Sequence, residues 1–260
     1  MAPWDPGRYL KFNEERTRAA LDLCARIPTP APGRVLDLGC GPGNSTRVLR
    51  ERWPGAELTG LDSSSEMIDR ARQSCPGGVW ILADAASWEP ESGAGPWDVV
   101  FANASLQWLP DHGQLLPRLL GLVAAGGCLA VQMPAKGGAL IRSILRSVAR
   151  RSRWRDALAG AEDALTFQDP GFYYDLLAPL AARVDLWETT YHHVLASHQA
   201  VVDWFESTGM RPYLDQLGSD GERAAFKGAV LEACRAEFPA ARDGNVLMAF
   251  RRLFFVAWKG

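Results

Sequence analysis

"VLDLGCGPGNST", residues 35–46, joins an apolar run to three glycines and then to small polar residues able to open a helix. A strand that ends in glycines and feeds a helix places a ligand at the carboxyl edge of an open α/β sheet. Glycine there lets the backbone turn tightly and come close to that ligand. Three ligand classes compete for such a loop. A nucleoside triphosphate loop needs four residues between its glycines and then a lysine, and no lysine follows Gly43. A dinucleotide loop reads G-x-G-x-x-G, whereas Gly39-Cys40-Gly41-Pro42-Gly43 has one residue in its second gap and Asn44 in the third-glycine position. The spacing found, led by Asp37-Leu38, suits an adenosyl group lying over the loop with no pyrophosphate at the helix start.

Outward from the loop, strand and helix patterns alternate. "RVLDLG" is a buried strand and Asn44 to Arg52 a helix. "AELTGLD" is a second strand, Ser64 to Ser74 a helix with Met67, Ile68 and Ala71 on one side, "VWILAD" a third strand and "WDVVFAN" a fourth. Asp111 to Val123 is helical, and "GCLAVQM" is a fifth strand. This alternation predicts an α/β fold with a doubly wound, mostly parallel sheet. After Met133 the pattern loosens. Helices are expected over "GALIRSILRSVAR", "DPGFYYDLLAPLAA", 198–207 and 221–236, and strands over "RVDLWETTYHHV" and "RRLFFVAWK", giving seven strands in all. Upstream, Asp5-Pro6 has the form of a helix start, and Ala19, Leu23 and Ile27 recur every four residues. The expected organisation is one domain in three parts: an N-terminal helical lid (1–32), a ligand-binding core (33–134), and helical cap insertions plus the last two strands (135–260).

Polar residues mark the strand ends in order: Asp37, Asp62, Asp84 and Asn103. A carboxylate at Asp62 can accept two hydrogen bonds from ribose hydroxyls, and a side-chain oxygen at Asp84 can take the exocyclic amine of an adenine. Any one of the four alone also reads as a turn or cap residue. As an ordered set they point to one ligand edge.

Bulk properties agree with a globular protein. The chain has 260 residues, 47% hydrophobic and 22% charged, with a formal net charge of -2 and a pI of about 6.1. No broad basic field invites nucleic acid. The five cysteines are scattered and read as small buried hydrophobes, with no metal site. "MAPWDPGRYL" has no signal pattern, and "LGLVAAGGCLAVQM" is broken by Gly126-Gly127, so a cytoplasmic protein without a membrane span is expected.

The glycine loop with its acid series resembles the class I S-adenosylmethionine-dependent methyltransferases, with their Rossmann-like sheet, over about residues 33–133. "WDPGRYLKFNEERTR", "RWPGAELTGLDSSSEMI", "FANASLQWLPDH", "LAVQMP", "FYYDLL", "WETTYHHVLASHQAVVDW", "TGMRPYL" and "FRRLFFVA" extend it, from Trp4 to Ala257, to the family of trans-aconitate 2-methyltransferases. "AKGGALIRS" and 150–168 depart from that family's pattern. The resemblance implies S-adenosyl-L-methionine as cofactor, S-adenosyl-L-homocysteine as product and a small anionic metabolite as substrate. It implies cofactor contacts from Asp37, Gly39, Cys40, Gly41, Gly43, Asn44, Asp62, Ser63, Met67, Asp84, Ala85, Asn103, Ala104 and Ser105. On the substrate side it points to Tyr9, Gln107, Trp108, Tyr173, Arg211, Tyr213 and Arg252, of which Tyr9, Gln107 and Trp108 position the reacting groups. A monomer or weak homodimer is expected.

A carboxylate acceptor is already ionised at neutral pH, since its ordinary pKa is about 4. It needs placement and desolvation, not a general base. None of the four histidines is then expected to be essential. His192 and His193, adjacent in a strand, should face opposite sides. Other readings stay open here: a methyltransferase for a hydroxyl or amine acceptor, which would need a base; an NAD-dependent oxidoreductase; and a nonenzymatic binder of the same cofactor.

Overall fold

The computed structural model describes residues 13–91 and 94–260. Tyr9 and the Asp5-Pro6 helix start lie outside the described residues. Among the described residues seven strands form one sheet: β1 (Arg34–Leu38), β2 (Glu57–Asp62), β3 (Val79–Leu82), β4 (Trp97–Asn103), β5 (Val123–Ala139), β6 (Arg183–Leu195) and β7 (Val246–Trp258). Their order is β3-β2-β1-β4-β5-β7-β6. The pairs β1/β2, β1/β4, β2/β3 and β4/β5 are parallel. The chain therefore starts mid-sheet, winds to one edge, returns to β4 and winds outward, the doubly wound form that leaves a ligand crevice beside β1.

Among the described residues the α-helices are α1 (Asn13–Arg26), α2 (Asn44–Arg52), α3 (Ser65–Ser74), α4 (His112–Gly121), α5 (Leu140–Ala149), α6 (Pro170–Leu177), α7 (His198–Glu206), α8 (Arg211–Leu214) and α9 (Asp220–Glu237). Caps fix several of them. Ser64 accepts from the Met67 amide at the start of α3, and Asp111 accepts from the Gln114 amide at the start of α4. In the middle of the sheet Val35, Leu36, Leu38, Val99, Val100, Phe101 and Ala102 have no exposed surface. Each full Val or Leu burial of this kind contributes about 1.5–3 kcal/mol.

Two compact units divide the chain. The core unit runs to Pro134 and includes 166–189 and 253–260; the second comprises 135–165 and 190–252 among the described residues. Within the core unit α1 lies on α2, where Arg52 Nη2 donates to the Ile27 carbonyl at 2.7 Å and Trp53 Nε1 to the Thr29 carbonyl at 3.1 Å. Within the second unit α9 packs against α5 and α7. Phe226 stacks on Tyr213 and meets Trp154 edge-on, and Trp154 Nε1 donates to Glu222 at 3.1 Å.

Two sequence expectations need correction. Val123 is not the last helical residue but the first of β5, facing Trp97 in β4. Gly126-Gly127 accordingly lies inside β5. Gly126 takes φ +76, and a Cβ on Gly127 would meet the Asp98 carbonyl. Nor does the strand stop at Met133. It continues to Ala139, where Gly138 allows the Arg251 carbonyl to approach. All five cysteines are buried. Among the described residues no helix is long and apolar enough to cross a membrane.

Candidate active site

The loop after β1 is held by backbone bonds to β2. The amides of Gly39 and Cys40 both donate to the Leu61 carbonyl, at 2.7 and 3.0 Å. Gly39, Gly41 and Gly43 have φ of +68, +55 and +93, a region costly for residues with a Cβ. A Cβ on Gly39 would collide with Ser105, while around Gly41 there is open space. The loop thus packs against the β4 side and presents a bare backbone at Gly41.

Asp37 sits beneath this loop at 1% exposure. One carboxylate oxygen accepts from Ser45 at 2.7 Å and Thr46 at 2.6 Å. The other, Oδ1, is buried with no hydrogen-bond partner. Burial raises its pKa to about 6; the two hydroxyls offset part of that, and the nearby Asp62 charge adds to it. At neutral pH it remains mostly ionised, at a cost. Asp62 ends β2. Its Oδ2 accepts from the Gly41 amide and its Oδ1 from the Ser64 amide, both at 2.9 Å. Burial raises its pKa too, against the backbone donors. A carboxylate has about four acceptor positions, so capacity remains for further donors. Cys40, between the two acids, is a neutral thiol, raised first by burial and then by their charge.

The third strand ends at Leu82, so Asp84 lies two residues beyond it rather than at its end. Its Oδ1 accepts from the Ala86 amide at 2.9 Å, and its carbonyl takes the amides of Ser87 and Trp88. The turn is clamped from α4, where the Arg118 guanidinium donates to the carbonyls of Ala85, Ala86 and Trp88. Arg118 was not foreseen from sequence. The signal available was only a cation on a helix otherwise rich in leucine.

Beyond β4, Ala104 adopts φ +54, a rare state for alanine and a strained one. Its amide donates to the Gln132 carbonyl at 2.8 Å. Ser105 Oγ donates to the Leu38 carbonyl at 2.7 Å. Gln107 Nε2 donates to the Ala104 carbonyl at 2.7 Å, and the Gln107 carbonyl accepts from the Thr166 amide at 2.9 Å. Asn103 Oδ1 and Gln107 Oε1 are buried with no hydrogen-bond partner. Together with Asp37 Oδ1 they give three unsatisfied acceptors around one loop system, a set suited to hydrogen-bond donors and positive charge. Asn44 Nδ2 is an unsatisfied buried donor at the start of α2.

The core unit therefore holds Asp37, Gly39, Cys40, Gly41, Gly43, Asn44, Asp62, Ser63, Met67, Asp84, Ala85, Asn103, Ala104, Ser105, Gln107 and Trp108. Ser63 and Asp84 are exposed, and Met67 is buried behind Ser64. Tyr173 is also there, but not as the expected substrate clamp. It has no exposed surface, stacks on Phe255, and its hydroxyl lies 2.8 Å from His112 Nδ1 and 3.3 Å from Met133 Sδ. It is packing for α6. Arg211, Tyr213 and Arg252 belong to the second unit, all buried.

Sheet order, glycine loop and strand-end acids are those of the class I methyltransferases. The YcgJ protein from Bacillus subtilis superposes with a TM-score of 0.57 at 11% identity, covering 94% of this chain and 100% of that one. Haemonchus contortus phosphoethanolamine N-methyltransferase 2, in complex with phosphomonomethylethanolamine and S-adenosylhomocysteine, superposes with a TM-score of 0.57 at 16% identity, covering 94% of this chain and 53% of that one. A family model described as "Methyltransferase domain" matches residues 12–177. Proteins named trans-aconitate 2-methyltransferase match end to end: 48% identity in Methylobacterium radiotolerans, over 100% of this chain and 99% of that one. The figures are 45% in Paracidovorax citrulli, over 99% and 98%, and 46% in Rhodopseudomonas palustris strain BisB18, over 100% of both. The chain belongs to the trans-aconitate 2-methyltransferase family and is an S-adenosylmethionine-dependent methyltransferase.

The donor and acceptor set fits that cofactor. S-adenosylmethionine carries an ammonium, a sulfonium, two ribose hydroxyls and an adenine amine, all suited to the carboxylates and amide oxygens of Asp37, Asp62, Asn103 and Gln107. Its carboxylate suits a donor such as Asn44 Nδ2.

Proposed function

We propose that this chain methylates one carboxylate of trans-aconitate, forming a methyl ester. End-to-end identity of 48% with a protein named for that reaction carries the reading. When bound, the cofactor supplies an electrophilic methyl group. Asp62 holds the ribose hydroxyls; Asp84 and Ala85 flank the adenine; Asp37, Asn44 and the glycine loop hold the amino-acid end. Ser63 and Met67 pack beside the nucleoside, and Cys40, Ala104 and Ser105 shape the loop walls. Asn103 Oδ1 and Gln107 Oε1 face positive charge, because an ionised tricarboxylate offers them no hydrogen-bond donor. Gln107 and Trp108 border the transfer point, and Tyr9, Arg211, Tyr213 and Arg252 serve the acid. No residue acts as general base. The protein works on a small anion in the cytoplasm, as a monomer or weak homodimer, without nucleic acid or membrane.

The test is incubation with methyl-labelled S-adenosylmethionine and trans-aconitate. The expected product is a base-labile methyl ester. Binding of the cofactor with no labelled ester from trans-aconitate or related acids would overturn the reading.

A further inference from the structure

Arg118 stands half-buried in the last turn of α4. Its Nη1 donates to the Trp88 carbonyl at 2.7 Å, and its Nη2 to the Ala86 carbonyl at 3.0 Å and to that of Ala85. Among the described residues its guanidinium meets these three carbonyls and no carboxylate. A cation in a last turn suits the helix dipole in whatever direction it extends. That role does not call for three carbonyls converging on one fork.

The far side of those peptide groups gives the convergence its meaning. A trans peptide is planar, and its carbonyl and amide point in opposite directions. The peptide that offers the Ala85 carbonyl to Arg118 offers the Ala86 amide to Asp84 Oδ1, at 2.9 Å. The next one offers the Ala86 carbonyl to Arg118 and the Ser87 amide to the Asp84 carbonyl, at 3.1 Å. A guanidinium and a carboxylate thus hold opposite ends of one peptide group, and each polarises it toward the other. The ends of the turn are pinned separately. The Ala83 amide donates to the Asp62 carbonyl at 3.0 Å, and the Trp88 ring centre lies 5.9 Å from that of Trp97. Between these pins Asp84 is exposed, and its carboxylate keeps acceptor capacity beyond the Ala86 amide.

We propose that Arg118 is a positioning residue for base selectivity. Through the peptide between residues 85 and 86 it fixes the Asp84 carboxylate where that group accepts from the exocyclic amine of the adenine. This rests on the reading of Asp84 as an adenine residue and adds the group that holds it in place. A lysine ammonium, a point charge on a flexible stem, does not reproduce a rigid fork across three carbonyls.

The experiment is calorimetry on wild type, Arg118→Met, Arg118→Lys and Asp84→Ala with two ligands. One is S-adenosylhomocysteine; the other is S-inosylhomocysteine, in which an oxygen replaces the exocyclic amine. Wild type should prefer the first by about tenfold or more, the worth of a hydrogen bond to a charged group. In Arg118→Met the affinity for S-adenosylhomocysteine should fall about tenfold and that for the inosyl compound stay within about twofold, so the preference disappears. Arg118→Lys should fall between, and it supplies the readout if the methionine variant does not fold. In the Asp84→Ala background, Arg118→Met should change S-adenosylhomocysteine affinity by less than about twofold, because groups acting in series are not additive. An equal loss on both ligands makes Arg118 a structural clamp only and overturns the proposal. A preference lost in Asp84→Ala but kept in folded Arg118→Met overturns it while leaving the adenine reading intact. A wild type with no preference, or an Asp84→Ala protein that keeps one, removes Asp84 from the adenine site and the proposal with it.

Discussion

The Ser105 hydroxyl donates to the carbonyl of Leu38 at 2.7 Å, tying the loop after β4 to the last residue of β1. The neighbouring Gly39 has φ +68, and a Cβ there would collide with Ser105. The two strand ends are therefore locked at one spacing. Gly39→Ala should abolish measurable S-adenosylmethionine binding by calorimetry and lower the melting temperature. Ser105→Ala leaves a buried carbonyl unsatisfied and should cost about 1–3 kcal/mol in denaturant unfolding, with a smaller loss of affinity. If Gly39→Ala binds like wild type, the loop is less constrained than this packing requires.

Asp62 bridges the Gly41 amide and the Ser64 amide, and so sets both loop and helix start. Asp62→Asn keeps one acceptor oxygen and should fold, while Asp62→Ala removes both. Cofactor affinity should fall roughly tenfold in the first and a hundredfold or more in the second, with kcat at saturating cofactor changed less. Equal affinity in all three proteins would remove Asp62 from the ribose site.

Asp37 makes stability depend on pH in a direction opposite to most carboxylates. Its folded pKa is raised from 3.8 to about 6. The folded state therefore binds the proton more tightly than the unfolded one. The stabilising contribution is complete below about pH 4 and is lost as pH rises through about 6. At pH 7 the buried carboxylate costs on the order of 2–3 kcal/mol, from about two pKa units. Asp37→Asn should thus raise the melting temperature at pH 7.5, gain less at pH 4.5, and weaken cofactor binding. A lower melting temperature at pH 7.5 would show that the Ser45 and Thr46 bonds outweigh the buried charge.

His112 carries the opposite sign. Its Nε2 lies 2.9 Å from the Leu106 carbonyl and its Nδ1 2.8 Å from the Tyr173 hydroxyl. Burial lowers its pKa, against that carbonyl and the Asp111 charge. Its contribution is present above the ordinary histidine value of about 6.5 and is lost as pH falls through its lower folded value. Tyr173→Phe should reduce stability by about 1 kcal/mol while leaving kcat within threefold. A large fall in kcat with an unchanged melting temperature would return Tyr173 to the substrate side.

Much of the core unit could be read from the chain because local and global signals agree there. Asn44 and Arg52 bound α2 as expected, since glycine before and a tryptophan turn after leave no other solution. His192 is exposed and His193 buried, as strand alternation requires. What failed were choices decided across the fold. Val123 satisfies a helical pattern, but β4 offers it a partner at Trp97. Asp84 looked like a strand end, yet its own carboxylate builds a turn. Helix α8 is four residues long, too short to show a period. Arg118 reaches back about thirty residues to fasten that turn. Tyr173 shows the limit for side chains: "FYYDLL" gives an aromatic but not the direction it faces, and the hydroxyl turned inward to His112.

The two raised carboxylates under the glycine loop also bear on the end of the catalytic cycle. Asp37 and Asp62 favour an occupant with positive charge. Methyl transfer turns a sulfonium into a neutral thioether. The same acids therefore attract the methyl donor more than the spent product, and turnover itself weakens the hold on what must leave.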